Sequence, residues 1–446
     1  MSQTSRDAAA VVTVTAPEPP PEARKGASRV AAASLIGTTI EYYDFAVYGT
    51  AAALVLGPAF FPSGSSTVST LAAFLTFAVA FLARPVGVVL FGTIGDRRGR
   101  KQALVLSLVL MGVATVGVGL LPTYDTAGVL APVLLIALRL LQGVSMGGEW
   151  GGAVLLAAEH APPGRRAVYA SVPQIGPLLG FLLSSAVILP TIGITGREAF
   201  ADWAWRVPFI LSTLLIAVGF WVRTRVEESP VFDRPATARP AAPRFPLGAL
   251  VSQYPGRLLL GIGAAVGGSA VYYLVIVYSL SYGPKSLGIP QNTMLAAASV
   301  AAGAAAAAVI PVARLADRVG RRPVILAGAT GSALWALPMF GSLNTGDGLL
   351  IGGAFTVGLV LLVLMFGPIA VFLPELFPAR LRYTGASAAF ILANTLGGGF
   401  APLVATWLNS HWQSPLVLGA YAGTLCLVSL ACVLALPETR DKEFGL

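Results

Sequence analysis

Five ionisable side chains stand deep inside segments that are otherwise apolar. Three are acids and two are bases: Glu41, Asp44, Glu149, Arg84 and Arg139. Charged groups are costly in hydrocarbon and usually face a partner or a water-filled cavity. Neighbouring carboxylates in a low dielectric rarely ionise together, so the surplus acid predicts a proton carrier, and the arginines are candidate partners of an anion. The alternative is a fixed ion-pair network that holds helices together.

Helical spacing places these groups on shared faces and at similar depth. Glu41, Asp44 and Tyr48 are spaced i, i+3 and i+7, so they lie on one face of a helix. Arg139 and Gln142, three residues apart, share a face of another helix. At a rise of 1.5 Å per residue, Glu41 lies about 15 Å into its apolar run, half of a ~30 Å hydrocarbon core. We expect both faces to line a cavity near the bilayer midplane.

The other candidate ligand-binding groups are neutral. Gln174, Tyr278 and Asn394 stand in three further apolar runs, and with Tyr48 and Gln142 they would supply the few polar contacts of a small-molecule pocket. For each tyrosine, packing in the core is an equally good explanation. The sequence contains no metal-ligand spacing, nucleophile constellation or phosphate loop. We therefore expect no enzyme activity and no cofactor, with the proton as the coupling ion.

The elements that hold these groups must be membrane helices. Hydrophobic residues make up 56% of the chain and charged residues 11%, whereas a soluble domain carries about 25% charged residues. The apolar runs lie at about 31–56, 66–94, 102–121, 129–158, 167–190, 203–222, 258–282, 293–313, 323–342, 349–374, 383–408 and 415–436. This pattern predicts an all-α membrane protein with twelve transmembrane helices.

The basic residues set the expected topology. Of the 29 Lys and Arg, 24 fall on one side of the predicted bilayer and three on the other, which predicts both termini in the cytoplasm and a location in the cell membrane. The net charge of +9 is thereby explained without a nucleic-acid partner. We expect the bilayer and a small molecule as partners, and a functional monomer. The predicted regions are a disordered tail 1–26, a six-helix half 27–222, an irregular linker 223–257, a six-helix half 258–437 and a tail 438–446.

A short motif occurs twice, half a chain apart, and divides the protein into two similar halves. The candidate gating residues are Gly92, Asp96, Arg97, Gly99 and Arg100 in the first copy, and Asp317, Arg318 and Arg321 in the second. An aspartate where a helix leaves the membrane can accept hydrogen bonds from a neighbouring helix N-terminus. A contact that forms in one state and breaks in another would control a rocking motion. The alternative is that the motif only anchors a loop.

The first motif copy matches the signature between helices 2 and 3 of the major facilitator superfamily. Further segments resemble its metabolite:proton symporters, relatives of the α-ketoglutarate, citrate, shikimate and proline/betaine permeases. They are Glu41-Tyr-Tyr-Asp-Phe45, Arg84-Pro85, Gly147-Gly-Glu-Trp-Gly-Gly152, Trp205-Arg-Val-Pro-Phe209 and Pro374-Glu-Leu-Phe-Pro378. The resemblance covers about residues 30–440. It implies the major facilitator fold and proton-coupled import of a small organic acid or zwitterion by alternating access.

Three other functions remain open at this point. Gly176-Pro177 and Gly180 resemble part of an antiporter motif, which would make the protein a drug or metabolite exporter. Glu228-Ser-Pro230 and Pro437-Glu-Thr439 resemble loop motifs of sugar porters. A transporter-like nutrient sensor is the third alternative. Two buried arginines favour a carboxylate substrate over a sugar.

Overall fold

The computed structural model describes residues 21–63, 65–98, 100–225 and 246–440, and these ranges are almost entirely helical. Twelve long helices, α1 to α12, account for most of them. Their bounds are Pro21–Ala51 (α1), Val68–Ile94 (α2), Lys101–Leu120 (α3), Leu130–Glu159 (α4), Arg166–Thr195 (α5), Arg206–Thr224 (α6), Pro255–Ser286 (α7), Gln291–Val319 (α8), Arg321–Thr345 (α9), Gly348–Glu375 (α10), Ala379–Trp412 (α11) and Pro415–Leu434 (α12).

Eleven of these helices, α2 to α12, are long and apolar enough to cross a membrane, counting only the described residues. Helix α1 is less apolar because it carries Glu41 and Asp44, but it packs along α5 and α6 and buries both acids. It is the remaining span, and the prediction of twelve transmembrane helices is confirmed.

Helix packing repeats between the two halves. In the first half α1 packs on α5, α2 on α4 and α3 on α6; in the second half α7 packs on α11, α8 on α10 and α9 on α12. Every pair in one half therefore has its equivalent six helices later. The chain forms two pseudo-symmetric six-helix halves, as the repeated motif predicts.

Helices α2 and α4 cross in direct backbone contact because glycines line the crossing. A Cβ atom on Gly143 would lie 2.0 Å from the carbonyl oxygen of Ala80, and one on Gly147 would lie 2.0 Å from that of Arg84. Small residues allow such close approach of membrane helices, whose association depends on packing. The crossing brings the α2 residue Arg84 and the α4 residue Arg139 close together in the first half.

Substitution of Gly143 by alanine is expected to destabilise the folded protein. The added methyl group meets a backbone carbonyl that has no room to move, and overpacking of this kind costs about 1–3 kcal/mol. Thermal denaturation of the purified protein in detergent should show a lower midpoint. Gly303→Ala is the matched control, because that α8 glycine has no atom within 4 Å of its added Cβ. Equal midpoints for the two variants would contradict the packing argument.

The structure differs from the sequence prediction at three boundaries. Helix α1 begins at Pro21, so residues 21–26 are helical and not part of a disordered tail; proline is well suited to the first turn of a helix. The linker 223–257 is shorter than predicted, because α6 continues to Thr224 and Pro246–Gln253 forms a short helix. Residues 1–20 and 226–245 lie outside the described ranges.

The third difference concerns the C-terminal segment, which is predicted as a tail from residue 438. Glu438 instead accepts hydrogen bonds from the backbone N–H groups of Arg321 and Arg322 at 3.0 and 2.9 Å, at the start of α9. Burial disfavours its charged form, but these and two further backbone donors hold the pKa of Glu438 below its usual value. Residues 441–446 lie outside the described part.

Both ends of the described chain lie on one side of the twelve-helix bundle, because the number of spans is even. The connections α2–α3, α4–α5, α8–α9 and α10–α11 lie on that same side. We call it the basic side, since most of the Lys and Arg are found there, and the other the opposite side.

Candidate functional site

A small cavity lies between the two halves, near the middle of the helices. Its polar lining comes from Tyr42 and Gln174 of the first half, and from Tyr272, Tyr273 and Asn394 of the second; the rest is mostly apolar. The cavity volume is about 20 Å³, which is room for about one water molecule. The structure is therefore a closed conformation in which the central site is not large enough for a metabolite.

Arg84 is a buried cation beside this cavity. Only 3% of its surface is exposed. Its guanidinium group lies 3.9 Å from the ring centroid of Phe81 and 5.0 Å from that of Phe45, and Nη2 donates to the sulfur of Met146 at 3.2 Å. Tyr273, which lines the cavity, packs edge-on against Phe81. Arg84 thus packs among aromatic rings directly behind Tyr273, which lines the cavity.

Arg84 also has donors to spare. Its Nε has no hydrogen-bond partner, and within the described residues no carboxylate lies at salt-bridge distance from it. Arginine cannot discharge by losing its proton in a protein, so an unpaired one is a strong site for an anion. An incoming carboxylate would find the bidentate donors of Arg84 available.

Arg139 is arranged differently and belongs to a hydrogen-bonded relay. Its Nη1 donates to Gln142 at 2.6 Å, the amide nitrogen of Gln142 donates to the Thr115 hydroxyl at 2.8 Å, and that hydroxyl donates to Asp44 at 3.0 Å. Arg139, Gln142 and Asp44 are fully buried. The relay joins α4, α3 and α1 inside the first half, away from the cavity lining.

Tyr48 supports Arg139. The Tyr48 ring centroid lies 3.7 Å from the guanidinium carbon, and its hydroxyl shares a 2.5 Å hydrogen bond with Thr76. The Arg139 nitrogens Nε and Nη2 also point at the carbonyl oxygens of Thr76 and Phe77, at 3.4 and 3.5 Å. In this conformation Arg139, Gln142 and Tyr48 do not line the cavity. Their polar groups instead form hydrogen bonds and ring contacts with each other and with α2.

Glu149 forms the third charged arrangement. It makes an ion pair with Arg223, near the end of α6, and both side chains are buried. Glu41 is a neighbour of Glu149, and both side chains are buried. Glu41 and Asp44 share a helix face but meet different partners. Arg223 is not among the predicted site residues, because the predicted sixth helix ends one residue before it.

Of the neutral candidates, Gln174 and Asn394 line the cavity and Tyr278 does not. Gln174 bridges the halves: it accepts from the indole of Trp150 at 2.8 Å and donates to the Phe366 carbonyl at 3.0 Å. The prediction of Tyr278 at the site is not supported by this conformation, because its hydroxyl donates to the Ala405 carbonyl at 3.2 Å.

Tyr42 and Trp150 were missed as candidates. Tyr42 lines the cavity, and the Trp150 ring stacks on Phe390 of α11 with centroids 3.7 Å apart. Each directly follows a predicted acid in the sequence, Glu41 and Glu149 respectively. That adjacency was the available signal.

The second motif copy holds the two halves together on the basic side. The carboxylate of Asp317 on α8 accepts hydrogen bonds from the backbone N–H groups of Ala167 and Val168 at 3.0 and 3.2 Å. These groups form the N-terminus of α5, whose dipole favours a negative charge. Arg321 lies 3.5 Å from Asp317, whereas Arg318 is exposed. The contact joins the halves across the basic side of the cavity.

The first motif copy is largely outside the described side chains. Nothing is described of the side chains of Asp96, Arg97 and Arg100, or of Gly99. Gly92 faces α11, where a Cβ atom would lie 3.5 Å from the ring of Tyr383. The gating role of this copy remains a prediction.

Contacts between the halves also close the opposite side. Lys285 of α7 donates to the Thr70 hydroxyl of α2 at 2.8 Å at that side. Near the middle of the helices, the hydroxyl of Thr395 on α11 donates to the Phe81 carbonyl at 3.3 Å. The cavity is thus bounded by contacts on both sides, and the conformation is occluded.

Asp317→Asn is expected to shift the conformational equilibrium toward states that are open on the basic side, while leaving ligand affinity nearly unchanged. The substitution keeps the side-chain shape but weakens the interaction with the α5 N-terminus, which is worth about 0.3–1 kcal/mol. Spin labels on cysteines introduced at Arg165 and Arg314, both exposed on the basic side, should report a larger population of widely separated distances. Asp125→Asn, in an exposed loop of the opposite side, is the control. An unchanged distance distribution would rule out the gating role.

Two pseudo-symmetric six-helix halves around a central cavity define a membrane transporter. Residues 34–398 match the Major Facilitator Superfamily, with a second match at 284–445. The chain is 42% identical over 425 residues to the "Inner membrane metabolite transport protein YhjE" of Escherichia coli K12, covering 93% of this chain and 95% of that protein. The chain belongs to the major facilitator superfamily. It is a multi-pass membrane transporter and not an enzyme, and both predictions are confirmed.

Other relatives are similar over most of the chain. The "Shikimate transporter" of E. coli K12 is 36% identical, covering 93% of this chain and 95% of that protein. The "Proline/betaine transporter" of the same strain is 33% identical, covering 93% and 84%. Among solved structures, the proton:xylose symporter XylE bound to 6-bromo-6-deoxy-D-glucose has a TM-score of 0.74 at 19% identity, covering 94% of this chain and 98% of that one. This last likeness shows the fold alone.

Proposed function

We propose that this protein imports a small carboxylate or zwitterion together with a proton, by alternating access, as a monomer in the cell membrane with its basic side in the cytoplasm. The observation that carries the proposal is Arg84, a buried cation with unused donors beside the cavity and without a carboxylate partner among the described residues. Names of the relatives include carriers of shikimate, proline and betaine, all of which contain a carboxylate.

Four of the six buried charges of the first half can be assigned in pairs. Arg139 is balanced by Asp44 through the Gln142–Thr115 relay, and Arg223 is balanced by Glu149. Glu41 and Arg84 are left over. In this proposal Arg84 receives the carboxylate of the substrate, and Glu41 carries the proton with Glu149.

Charge balance makes the two binding events favour each other. A substrate carboxylate on Arg84 leaves the carboxyl pair with one uncompensated negative charge, and a proton neutralises it. Conversely, a proton on the pair leaves Arg84 as an unbalanced cation that attracts the anion. Substrate and proton therefore raise each other's affinity, which is the reciprocal coupling that symport requires. No further cofactor enters the proposal.

The cavity wall also suits a zwitterion. Tyr42, Tyr272 and Tyr273 line the cavity, and aromatic rings attract ammonium groups. A carboxylate on Arg84 would leave the cationic end of a betaine or amino acid near these rings.

Transport in proteoliposomes tests the proposal. The probes are labelled shikimate, proline, glycine betaine and α-ketoglutarate, with xylose as the sugar control, each with and without an imposed pH gradient. One pH unit corresponds to about 1.4 kcal/mol per proton, so one-proton symport should accumulate a substrate about tenfold. A protonophore should abolish the accumulation. Gradient-driven uptake of xylose alone, or efflux only, would favour the sugar porter or the exporter.

A further inference from the structure

A second feature of the first half is a buried cluster near the basic side. Glu41, Glu149 and Arg223 are 3%, 1% and 5% exposed. Arg223 reaches Glu149 from the end of α6, and also donates to the Leu104 carbonyl of α3. It passes through a gap left by Gly37, where a Cβ atom would collide with the guanidinium group. The cluster therefore has a built space for an arginine between α1 and α4.

The cluster contains two carboxyl groups and one cation. One oxygen of Glu149 accepts from Arg223, and the other has no hydrogen-bond donor. The neighbouring group is the carboxyl of Glu41. A buried carboxylate oxygen without a donor is costly, and a single proton held between Glu41 and Glu149 would supply the donor and neutralise the cluster.

The cluster lies between residues that line the central cavity and a second cavity on the basic side. Tyr42 and Tyr273 line the cavity and lie within electrostatic reach of Glu41, as does Arg84. On its other side, Arg223 borders a second small cavity of about 20 Å³ among the basic-side ends of α1, α3, α4 and α6.

This second cavity is lined mainly by apolar side chains of α1, α3 and α4, with three polar side chains among them. Its polar lining consists of Ser34, Lys101 and Arg223, and its volume is enough for about one water molecule. Lys101 and Arg223 are the charged groups that border it, and Arg84, Tyr42 and Tyr273 are the other charged or titratable groups near Glu41.

We infer that Glu41 and Glu149 share one transported proton and release it to the basic side past Arg223, through the cavity beside Ser34, on a route inside the first half that the substrate does not use. On release, an O–H bond of the carboxyl pair breaks and a water in that cavity takes the proton. The carboxylate left behind stays paired with Arg223. This inference rests on the proposed symport and names the proton site and outlet within it.

Infrared spectroscopy of the protein in lipid, without substrate, tests the shared proton. At a pH where exposed carboxyls are ionised, the wild type should show the carbonyl band of a protonated carboxyl group. Glu41→Gln and Glu149→Gln should each remove that same band, because the remaining carboxylate then pairs with Arg223. Loss in one variant only, or in neither, would overturn the inference.

Two matched controls belong to this experiment. Glu198→Gln alters an exposed carboxyl and should leave the band unchanged. Arg223→Gln removes the cation and should increase the band, since both carboxyls can then be protonated, whereas Arg225→Gln, two residues on and exposed, should not.

The outlet is tested by deuterium exchange of the same band. In D₂O the band shifts as the shared proton is replaced. In a Ser34→Cys variant that lacks Cys426 and Cys432, coupling of the new thiol to a bulky reagent should slow this exchange at least tenfold. Exchange at an unchanged rate would contradict the route.

Gradient-driven uptake then separates the two proposals. Suppose that a pH gradient drives the accumulation of none of the labelled probes, but that the carbonyl band changes in the variants as expected. The symport proposal is then wrong, and the shared proton stands. If uptake is gradient-driven in both glutamine variants, the symport stands and this inference is wrong.

Discussion

Arg84→Gln is expected to remove the binding of small carboxylates to this transporter. Among the buried cations of the first half, Arg84 is the one that has no acid as direct or relayed partner in the described residues. A carboxylate that enters the cavity without it would be buried uncompensated. Removing one partner of a buried, hydrogen-bonded charge pair costs about 2–5 kcal/mol, which corresponds to about 30-fold to several-thousand-fold in affinity.

The measurement is equilibrium binding of the labelled carboxylates by scintillation proximity, which does not depend on turnover. Arg84→Lys should rescue little, because lysine lacks the planar fork and does not stack on Phe81 as a guanidinium does. Arg225→Gln is the control for a general change in charge. Binding within about threefold of the wild type in both Arg84 variants would be incompatible with the role assigned to it.

Folding should survive the Arg84 substitutions. No salt bridge is broken in the described structure, and the guanidinium group that is replaced packs on two phenylalanine rings and donates to the Met146 sulfur. A binding defect with a normal thermal midpoint is therefore the expected signature.

The fold could be predicted from the sequence because each of its determinants is local. Hydrophobic runs of suitable length define the spans, and the repeated Asp96 and Asp317 motifs reveal the two halves. Boundaries were less predictable: Thr224 and Pro246 extend helical structure into the expected linker, because proline-rich composition does not show where a helix actually stops.

The candidate site was predictable in its parts but not in its pairings. Helical periodicity placed Glu41 and Asp44 on one face of α1, but one face of a helix can contact several neighbouring helices. In the structure Glu41 faces Glu149 of α4, whereas Asp44 faces Thr115 of α3. Which groups meet depends on crossings such as the backbone contact at Gly143, which a single helix does not encode.

The buried position of Arg223 likewise could not be predicted from its own helix. Charge counting assigns an arginine at a helix end to the basic-side loops. The side chain is long enough to turn back into the membrane, and it does so because Gly37 leaves space and Glu149 supplies a buried partner. A glycine on a different helix, 186 positions earlier, is not a signal that can be read locally.

Arg139→Lys is expected to have the opposite signature to Arg84→Lys, with a loss of stability. The Arg139 guanidinium directs nitrogens at Gln142, Thr76 and Phe77 and lies flat over the ring of Tyr48. An ammonium group provides neither the fan of donors nor the planar face. The relay to Asp44 would then begin at an unsatisfied Gln142 oxygen in a fully buried site.

The size of the expected loss of stability depends on the buried groups that Arg139→Lys leaves without a hydrogen-bond donor. Lysine keeps the positive charge but leaves buried hydrogen-bond acceptors without a donor, at a cost of about 1–3 kcal/mol for each acceptor, so the thermal midpoint in detergent should fall clearly. If Arg139 contacted substrate instead, Arg139→Lys would lower affinity and leave the midpoint unchanged. The sequence did not distinguish the roles of Arg84 and Arg139. Measuring ligand binding and the thermal midpoint for both lysine variants does so. It separates an arginine that binds the ligand from one that holds α4 to α2, α3 and α1. A normal midpoint with lost binding for Arg139→Lys would reverse that assignment.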